Sequence, residues 1–105
     1  MKLLTKEIEK KLPKLYSTDE QGNNAKVVVK FFHPRSNWTW YATEYDPDTR
    51  TFFGYVDGFE GELGYFNLDE LSEVKDSWGL GIERDMYWDS NTTLREVMKK
   101  RVRTK

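Results

Sequence analysis

The chain has 105 residues, of which 37% are hydrophobic, 15% aromatic and 33% charged, and its formal net charge is −1. This length supports one domain with a single core. The aromatic content excludes a disordered chain, because disordered segments lack the large side chains that offset the conformational entropy of folding. The sequence contains no cysteine, which excludes disulfides and thiolate metal sites.

The beginning of the sequence, residues 1–7, carries no apolar signal segment, and no apolar run approaches membrane-spanning length. We therefore expect a cytoplasmic protein with no membrane partner. The charge is unevenly distributed, since residues 31–96 hold five basic and fourteen acidic side chains, whereas residues 97–105 hold five basic and no acidic ones. This pattern predicts an acidic body with a basic C-terminal tail that is either solvated or in contact with nucleic acid or an acidic partner.

The first predicted element is a short helix over residues 4–12, where apolar residues recur at the spacing of one helical face. Thr5 is its expected N-cap, and Pro13 ends the pattern. The polar stretch over residues 19–24 predicts a loop.

Five segments are rich in β-branched and aromatic residues, which is typical of strands. They cover residues 26–32, 38–45, 51–56, 62–66 and 82–88. The sequence Asp46-Pro47-Asp48-Thr49 predicts a turn that joins the second and third strands into a hairpin.

Two further helices follow from capping signals. Asn67 is an expected N-cap for a helix over residues 68–73. Thr93 and Glu96 have the spacing of a capping box, which predicts a C-terminal helix over residues 94–101. These elements together predict a single α+β domain over residues 1–97, built on an antiparallel sheet of four to five strands with a short N-terminal helix and a C-terminal helix. Residues 98–105 form the predicted basic tail.

Aromatic residues are concentrated between the end of the first predicted strand and the turn that follows the second. Residues 31–47 hold six Phe, Trp and Tyr rings together with the imidazole of His33. In the second strand, strict alternation places one set on the core face and a second set on a half-exposed face. The expected core set is Trp38, Trp40 and Ala42, and the expected half-exposed set is Thr39, Tyr41, Thr43 and Tyr45.

Short motifs spread over the predicted elements resemble a known family. They are Lys30-Phe31-Phe32, Trp38-Thr39-Trp40-Tyr41, Thr43-Glu44-Tyr45-Asp46, Phe52-Phe53-Gly54, Glu62-Leu63-Gly64-Tyr65-Phe66, Leu68-Asp69-Glu70-Leu71 and Ile82-Glu83-Arg84-Asp85. As a set they resemble the bacterial domain-of-unknown-function family 2958, as far as about Val97, which leaves the basic end outside the resemblance. The resemblance implies an origin among plasmid, phage or conjugative-element genes, and it carries over no catalytic residue.

Catalytic signals are weak. His33 is the single histidine and no nucleophile accompanies it, so we interpret it as a surface residue. Asp57, Glu60 and Glu62 surround a turn and offer the oxygen ligands that Mg²⁺ prefers, although Asp and Gly are also ordinary turn residues. We assign no catalytic residue, no metal ligand and no cofactor.

The sequence therefore favours a non-enzymatic module that docks a protein partner through an aromatic sheet face. The expected contact residues are Tyr41, Tyr45, Tyr55, Trp88 and Arg35, because Tyr, Trp and Arg dominate interface hot spots. Two alternatives stay open: a small metal-dependent enzyme acting on phosphate esters, and a nucleic-acid-binding accessory module that uses the basic tail. Rings on both faces of the sheet are also compatible with a homodimer.

Overall fold

The structure, a computed structural model, describes residues 2–103, with side chains as far as residue 101. Its strands are β1 (Val29–Phe32), β2 (Thr39–Asp46), β3 (Thr51–Asp57), β4 (Gly61–Asn67) and β5 (Glu83–Arg84). They form one antiparallel sheet in the order β4-β3-β2-β1-β5. The helices are α1 (Lys6–Lys11), α2 (Leu68–Glu73) and α3 (Leu94–Arg103), and a 3-10 helix covers Asp19–Asn24. This arrangement confirms the predicted α+β fold.

The predicted helix caps are confirmed. The Thr5 hydroxyl accepts a hydrogen bond from the backbone N–H of Ile8, and the Asn67 side chain accepts from two amides in the first turn of α2. At α3, the Glu96 carboxylate accepts from the backbone N–H of Thr93, and the Thr93 hydroxyl accepts in return from the N–H of Glu96. Local side-chain chemistry therefore fixes where each helix begins.

Helix α3 is longer than the sequence predicted. It continues to Arg103, two residues beyond the predicted end at residue 101, so the predicted basic tail at residues 98–105 overlaps the helix as far as residue 103. The boundary drawn after residue 97 consequently falls within α3, and residues 104 and 105 lie outside the described range. No helix among residues 2–103 is long and apolar enough to cross a membrane.

Three element predictions were wrong in extent or type. The first strand begins at Val29. The residues just before it pair instead with the segment that leads into α3, because the N–H of Val27 donates to the carbonyl of Thr92 at 2.7 Å. The last strand is two residues long, because the Asp85 carboxylate accepts from the N–H of Tyr87 and turns the chain. The predicted loop at residues 19–24 consists of 3-10 turns that meet at Gly22, whose φ is +53°.

Both faces of the sheet are covered. The first face packs under α1, α2 and the N-terminal segment, in a core that contains Leu3, Leu4, Leu12, Val29, Phe31, Ala42, Tyr45, Phe52, Leu68, Leu71 and Ile82. The second face packs under α3, in a smaller core of Ala25, Val27, Tyr55, Leu94 and Val97. The aromatic hairpin of β2 and β3 therefore supplies rings to two separate cores rather than to one core and one bare surface.

An irregularity in β2 changes which rings share a face. Ala42 pairs with Gly54 and Glu44 pairs with Phe53, so the register of β2 with β3 skips Thr43 and the strand contains a β-bulge. The bulge breaks the strict alternation that was assumed from the sequence. The prediction that Tyr45 lies beside Tyr41 on a half-exposed face is therefore wrong. Tyr45 lies on the first face, is 3% exposed and packs on the Phe52 ring at 4.6 Å.

The three residues of the predicted core set on β2 and just before it differ in their burial. Ala42 is fully buried as expected. Trp40 is only half-buried and packs against the first core, and Trp38 stacks on it with a centroid separation of 6.0 Å. The Phe59 ring lies edge-on to Trp38 at 5.3 Å and is largely exposed.

The bulge also buries a carboxylate. Glu44 is 2% exposed and accepts hydrogen bonds from the backbone N–H groups of Tyr16 and Thr18, each at 2.8 Å, and from the Thr18 hydroxyl. Because several donors satisfy its oxygens, the buried charge is stabilised there. Glu44 consequently holds the segment after α1 against β2.

Candidate functional site

A concavity lies on the second face, between α3 and the sheet. We refer to it as the α3 cleft, and it has a volume of about 670 Å³, within the range of ordinary ligand sites. Its lining residues are Lys30, Tyr41, Asp57, Trp88, Thr92, Glu96, Val97, Lys99, Lys100 and Arg101. The cleft thus combines rings from the sheet side with charges from the helix.

Both ends of α3 are fixed to the body. At its beginning, the N–H of Leu94 donates to the carbonyl of Ala25 at 3.0 Å. Near its end, Nε of Arg101 lies 2.5 Å from Oδ1 of Asp57 on β3. The walls of the cleft are therefore held before any ligand arrives, which lowers the entropic cost of binding.

Two aromatic rings form the floor of the cleft. Tyr41 and Trp88 lie with their centroids 5.6 Å apart, and Nε1 of Trp88 donates to the carbonyl of Val27 at 2.8 Å. Burial raises the pKa of Tyr41, and the nearby Asp57 carboxylate raises it further. The Tyr41 hydroxyl is therefore a neutral donor and acceptor beside two apolar ring surfaces.

Basic side chains surround this floor. Nζ of Lys30 lies 5.8 Å from the Tyr41 ring centre and 5.6 Å from that of Trp88, within cation–π range. Lys99 and Lys100 are exposed on α3, and within the described part of the chain neither has a carboxylate within 4.0 Å. The cleft is therefore a locally positive, aromatic site in a chain whose body is acidic.

The residues predicted to form a binding face do not come together as one set. Tyr41 and Trp88 line the α3 cleft, and Tyr55 lies next to Tyr41 but is only 7% exposed. Tyr45 lies on the opposite face, in the first core. Arg35 is remote, with its guanidinium 4.6 Å from the ring centre of the exposed Trp78.

His33 belongs to a structural cluster rather than to an open surface. Its side chain is 11% exposed, Nε2 lies 3.6 Å from Oδ2 of Asp76, and Nδ1 accepts from the N–H of Arg35. Asp76 also accepts from the backbone N–H groups of Trp78 and Leu80. Partial burial opposes ionisation of Asp76, but these amides and the neighbouring His33 and Arg35 lower its pKa overall. Both imidazole nitrogens are thus engaged in holding a loop.

The acidic turn does not gather a set of metal ligands. Asp57 lies on the second face and binds Arg101, whereas Glu62 pairs with Val56 on the first face. Among residues 2–103, no group of three or more potential metal-ligating side chains converges. The carboxylates of Asp57, Glu60 and Glu62 therefore do not converge on one point, as the ligands of a Mg²⁺ ion must.

Sequence reasoning missed the contribution of α3 to the site. The predicted contact residues included none of Glu96, Lys99, Lys100 or Arg101, because Glu96 was assigned to the capping box and residues 98–105 were assigned to a basic tail. A usable signal was present, since residues 94, 97, 98 and 101 follow the i, i+3, i+4, i+7 spacing of one helical face. That spacing continues the apolar stripe into Arg101 and predicts that this arginine faces the body.

Fold and cleft together define a small α+β domain, with an antiparallel sheet covered on both faces and an amphipathic cleft beside its last helix. The chain belongs to the family described as "Protein of unknown function (DUF2958)", whose sequence model matches residues 3–104. This confirms the resemblance, and the match includes the basic end, which the sequence had placed outside it. No curated protein and no solved structure matches the chain.

Proposed function

We propose that this protein is a non-enzymatic binding module that captures a protein partner through the α3 cleft. The observation that carries the proposal is a preformed cleft of about 670 Å³ with two fixed rings on its floor and basic side chains at its rim. Tyrosine and tryptophan contribute large contact areas with few rotatable bonds, and they dominate binding hot spots.

The chemistry of the cleft favours a short acidic segment with an aromatic or apolar side chain. Such a side chain would pack on Tyr41 and Trp88, where Val97 adds apolar surface. The neighbouring carboxylates would pair with Lys99 and Lys100, whose exposed ammonium groups extend from α3. A partner of this kind complements the cleft in both shape and charge.

Several of the ionisable groups at the cleft already have partners, which supports binding rather than catalysis. Asp57 pairs with Arg101, Lys30 lies 3.7 Å from Asp85, and Glu96 completes the capping box of α3. General acid–base or nucleophilic catalysis requires a group within hydrogen-bond reach of an activating partner and open to substrate. The described residues of the cleft do not provide that pair.

A nucleic-acid role is the second candidate, because rings flanked by lysines can stack bases and bind phosphates. The fourteen acidic side chains of residues 31–96 oppose it, since they repel a polyanion. The family resemblance implies a mobile-element origin, and we propose that the partner is a host or element protein in the cytoplasm.

Affinity capture from host lysate, with and without nuclease, tests this proposal. The variant Lys99→Glu/Lys100→Glu reverses the charge of the rim at exposed positions and leaves both cores intact. The matched control Lys10→Glu/Lys11→Glu makes the same charge change on the exposed end of α1. We expect wild type and control to retain one protein partner after nuclease, and the rim variant to lose it.

Equal capture by the rim variant would overturn the assignment of the cleft. Loss of all bound material on nuclease treatment would instead support nucleic-acid binding. In that case affinity should fall steeply with salt, because each phosphate contact releases counterions.

A further inference from the structure

Strand β4 forms one edge of the sheet, and among residues 2–103 no further strand pairs with it. It is seven residues long and contains no proline, lysine or arginine, and it pairs with β3 without a register shift. Natural proteins usually protect edge strands with such residues, with bulges or by keeping the strand short. The opposite edge follows this rule, because β5 has only two residues.

Apolar side chains accompany the open backbone of β4. Leu63 and Tyr65 both lie on the second face, and they are 49% and 54% exposed. Tyr16 lies edge-on to Tyr65, with ring centroids 6.4 Å apart, and is itself 65% exposed. The edge therefore offers both unpaired main-chain groups and a row of exposed apolar surface, which is the combination that strand addition uses.

We propose that β4 pairs antiparallel with β4 of a second copy of this chain, about a two-fold axis that passes through Gly64. Only this register pairs the whole strand, Gly61–Asn67, with itself. It places Gly64 opposite Gly64 of the second copy and Leu63 opposite Tyr65 of the second copy. Because the axis relates the two strands, the aliphatic–aromatic pair occurs twice, and such cross-strand pairs stabilise sheets.

The placement of charge on β4 allows a second copy to occupy this edge. Glu62 is the single charged residue of β4, and in the proposed register it lies opposite Phe66 of the second copy, never opposite itself. No like charges therefore face each other along the shared strands. The pairing also closes the assembly, because the edges that remain are the two-residue β5 strands.

The proposed dimer has a consequence for the α3 cleft. A two-fold axis perpendicular to a sheet keeps the same face of both copies on the same side, so both clefts would open in one direction. If the proposed function holds, a partner with two docking segments would bind with an avidity that neither cleft provides alone. The dimer itself depends only on β4 and is tested separately.

Sedimentation equilibrium over a wide concentration range tests the pairing, together with the variant Gly64→Lys. A Cβ added at Gly64 meets no atom within 4 Å, so the monomer accommodates a side chain there. In the dimer the two lysines would face each other across the axis and repel. We expect wild type to approach twice the chain mass of 12.5 kDa, and Gly64→Lys to raise the dissociation constant by about tenfold.

Gly64→Thr is the matched control, because it adds a β-branched side chain at the same position without charge. We expect it to dimerise as wild type does, and circular dichroism should show that both variants fold. Hydrogen exchange of wild type adds an independent readout, since the outward amides of β4 should gain protection as the concentration rises. A wild-type monomer at every concentration, or equal association of folded Gly64→Lys and Gly64→Thr, would overturn the proposal.

Discussion

The Arg101 guanidinium binds the Asp57 carboxylate with Nε 2.5 Å from Oδ1, joining the last part of α3 to the end of β3. The two side chains are 16% and 25% exposed, so solvent screens the pair only partly. The hydrogen bond to Asp57 raises the pKa of Arg101, which keeps the guanidinium charged. This contact lies in the lining of the α3 cleft.

Replacement of Asp57 tests how much this contact holds α3. Asp57→Asn removes the charge and leaves Arg101 beside a neutral amide, so we expect lower stability in urea and faster hydrogen exchange in α3. The control is Asp69→Asn, whose pair with Arg50 is about half exposed on both sides. Because exposed pairs contribute little, we expect Asp57→Asn to lose about twice as much unfolding free energy as the control. Equal losses would show that the contact does not fix α3.

The two tyrosines once expected on a single face should respond differently to mutation. Tyr45→Ala removes a ring that is 3% exposed and packed on Phe52, so we expect a loss of about 4 kcal/mol in unfolding free energy. Tyr41→Phe keeps its ring and removes only the hydroxyl from the cleft, so we expect a loss below about 1.5 kcal/mol. Denaturant titration of both variants measures the difference. A small loss for Tyr45→Ala would contradict its placement in the first core.

The paired glycines Gly54 and Gly64 provide a second internal comparison. A Cβ at Gly54 would collide with the carbonyl of Tyr41 and lie 3.0 Å from Cα of Ala42, whereas a Cβ at Gly64 meets open space. Gly54→Ala should therefore force the backbones of β2 and β3 apart at the bulge and cost about 3 kcal/mol. Gly64→Ala should change stability by no more than about 0.5 kcal/mol. Thermal unfolding of the two variants compares the same substitution at two partnered positions. Similar melting temperatures would contradict the close approach of β2 and β3 at Gly54.

Alkaline pH should destabilise the protein through its buried phenols. Burial, followed by Asp57, raises the pKa of Tyr41 above the ordinary value of 10.0, and burial also raises the pKa values of Tyr45 and Tyr55. The pKa of each phenol is higher in the folded than in the unfolded protein, so the neutral phenols stabilise the folded state. This contribution is fully present below pH 10.0 and is lost as the pH rises through the folded pKa. Urea titrations across this range should show that Tyr41→Phe loses less stability than wild type. An identical pH dependence would show that Tyr41 does not contribute.

Much of the fold could be predicted from the sequence because its signals are local. Thr5, Asn67 and the Thr93–Glu96 pair cap helices with their own neighbours along the chain, and the Asp46–Thr49 segment turns on itself. Such interactions depend on residues within a few positions, so composition and spacing are sufficient to predict them. Of the predicted contact residues, Tyr41 and Trp88 do line the cleft.

The remaining features depend on contacts between distant parts of the chain. The bulge at Thr43 becomes visible only when β2 is paired with β3, and it moves Tyr45 into the first core. The contact between Asp57 and Arg101 joins residues 44 positions apart, and it places the last part of α3 along the cleft.

By itself, then, the sequence determined the α+β class, the helix starts, the aromatic hairpin and the uneven charge, because these follow from periodicity, capping and composition. The tertiary structure decided which rings are buried, which basic residues meet them, and which strand lies at the open edge. Those outcomes depend on register and packing over the whole sheet, where the displacement of one residue moves a side chain to the opposite face.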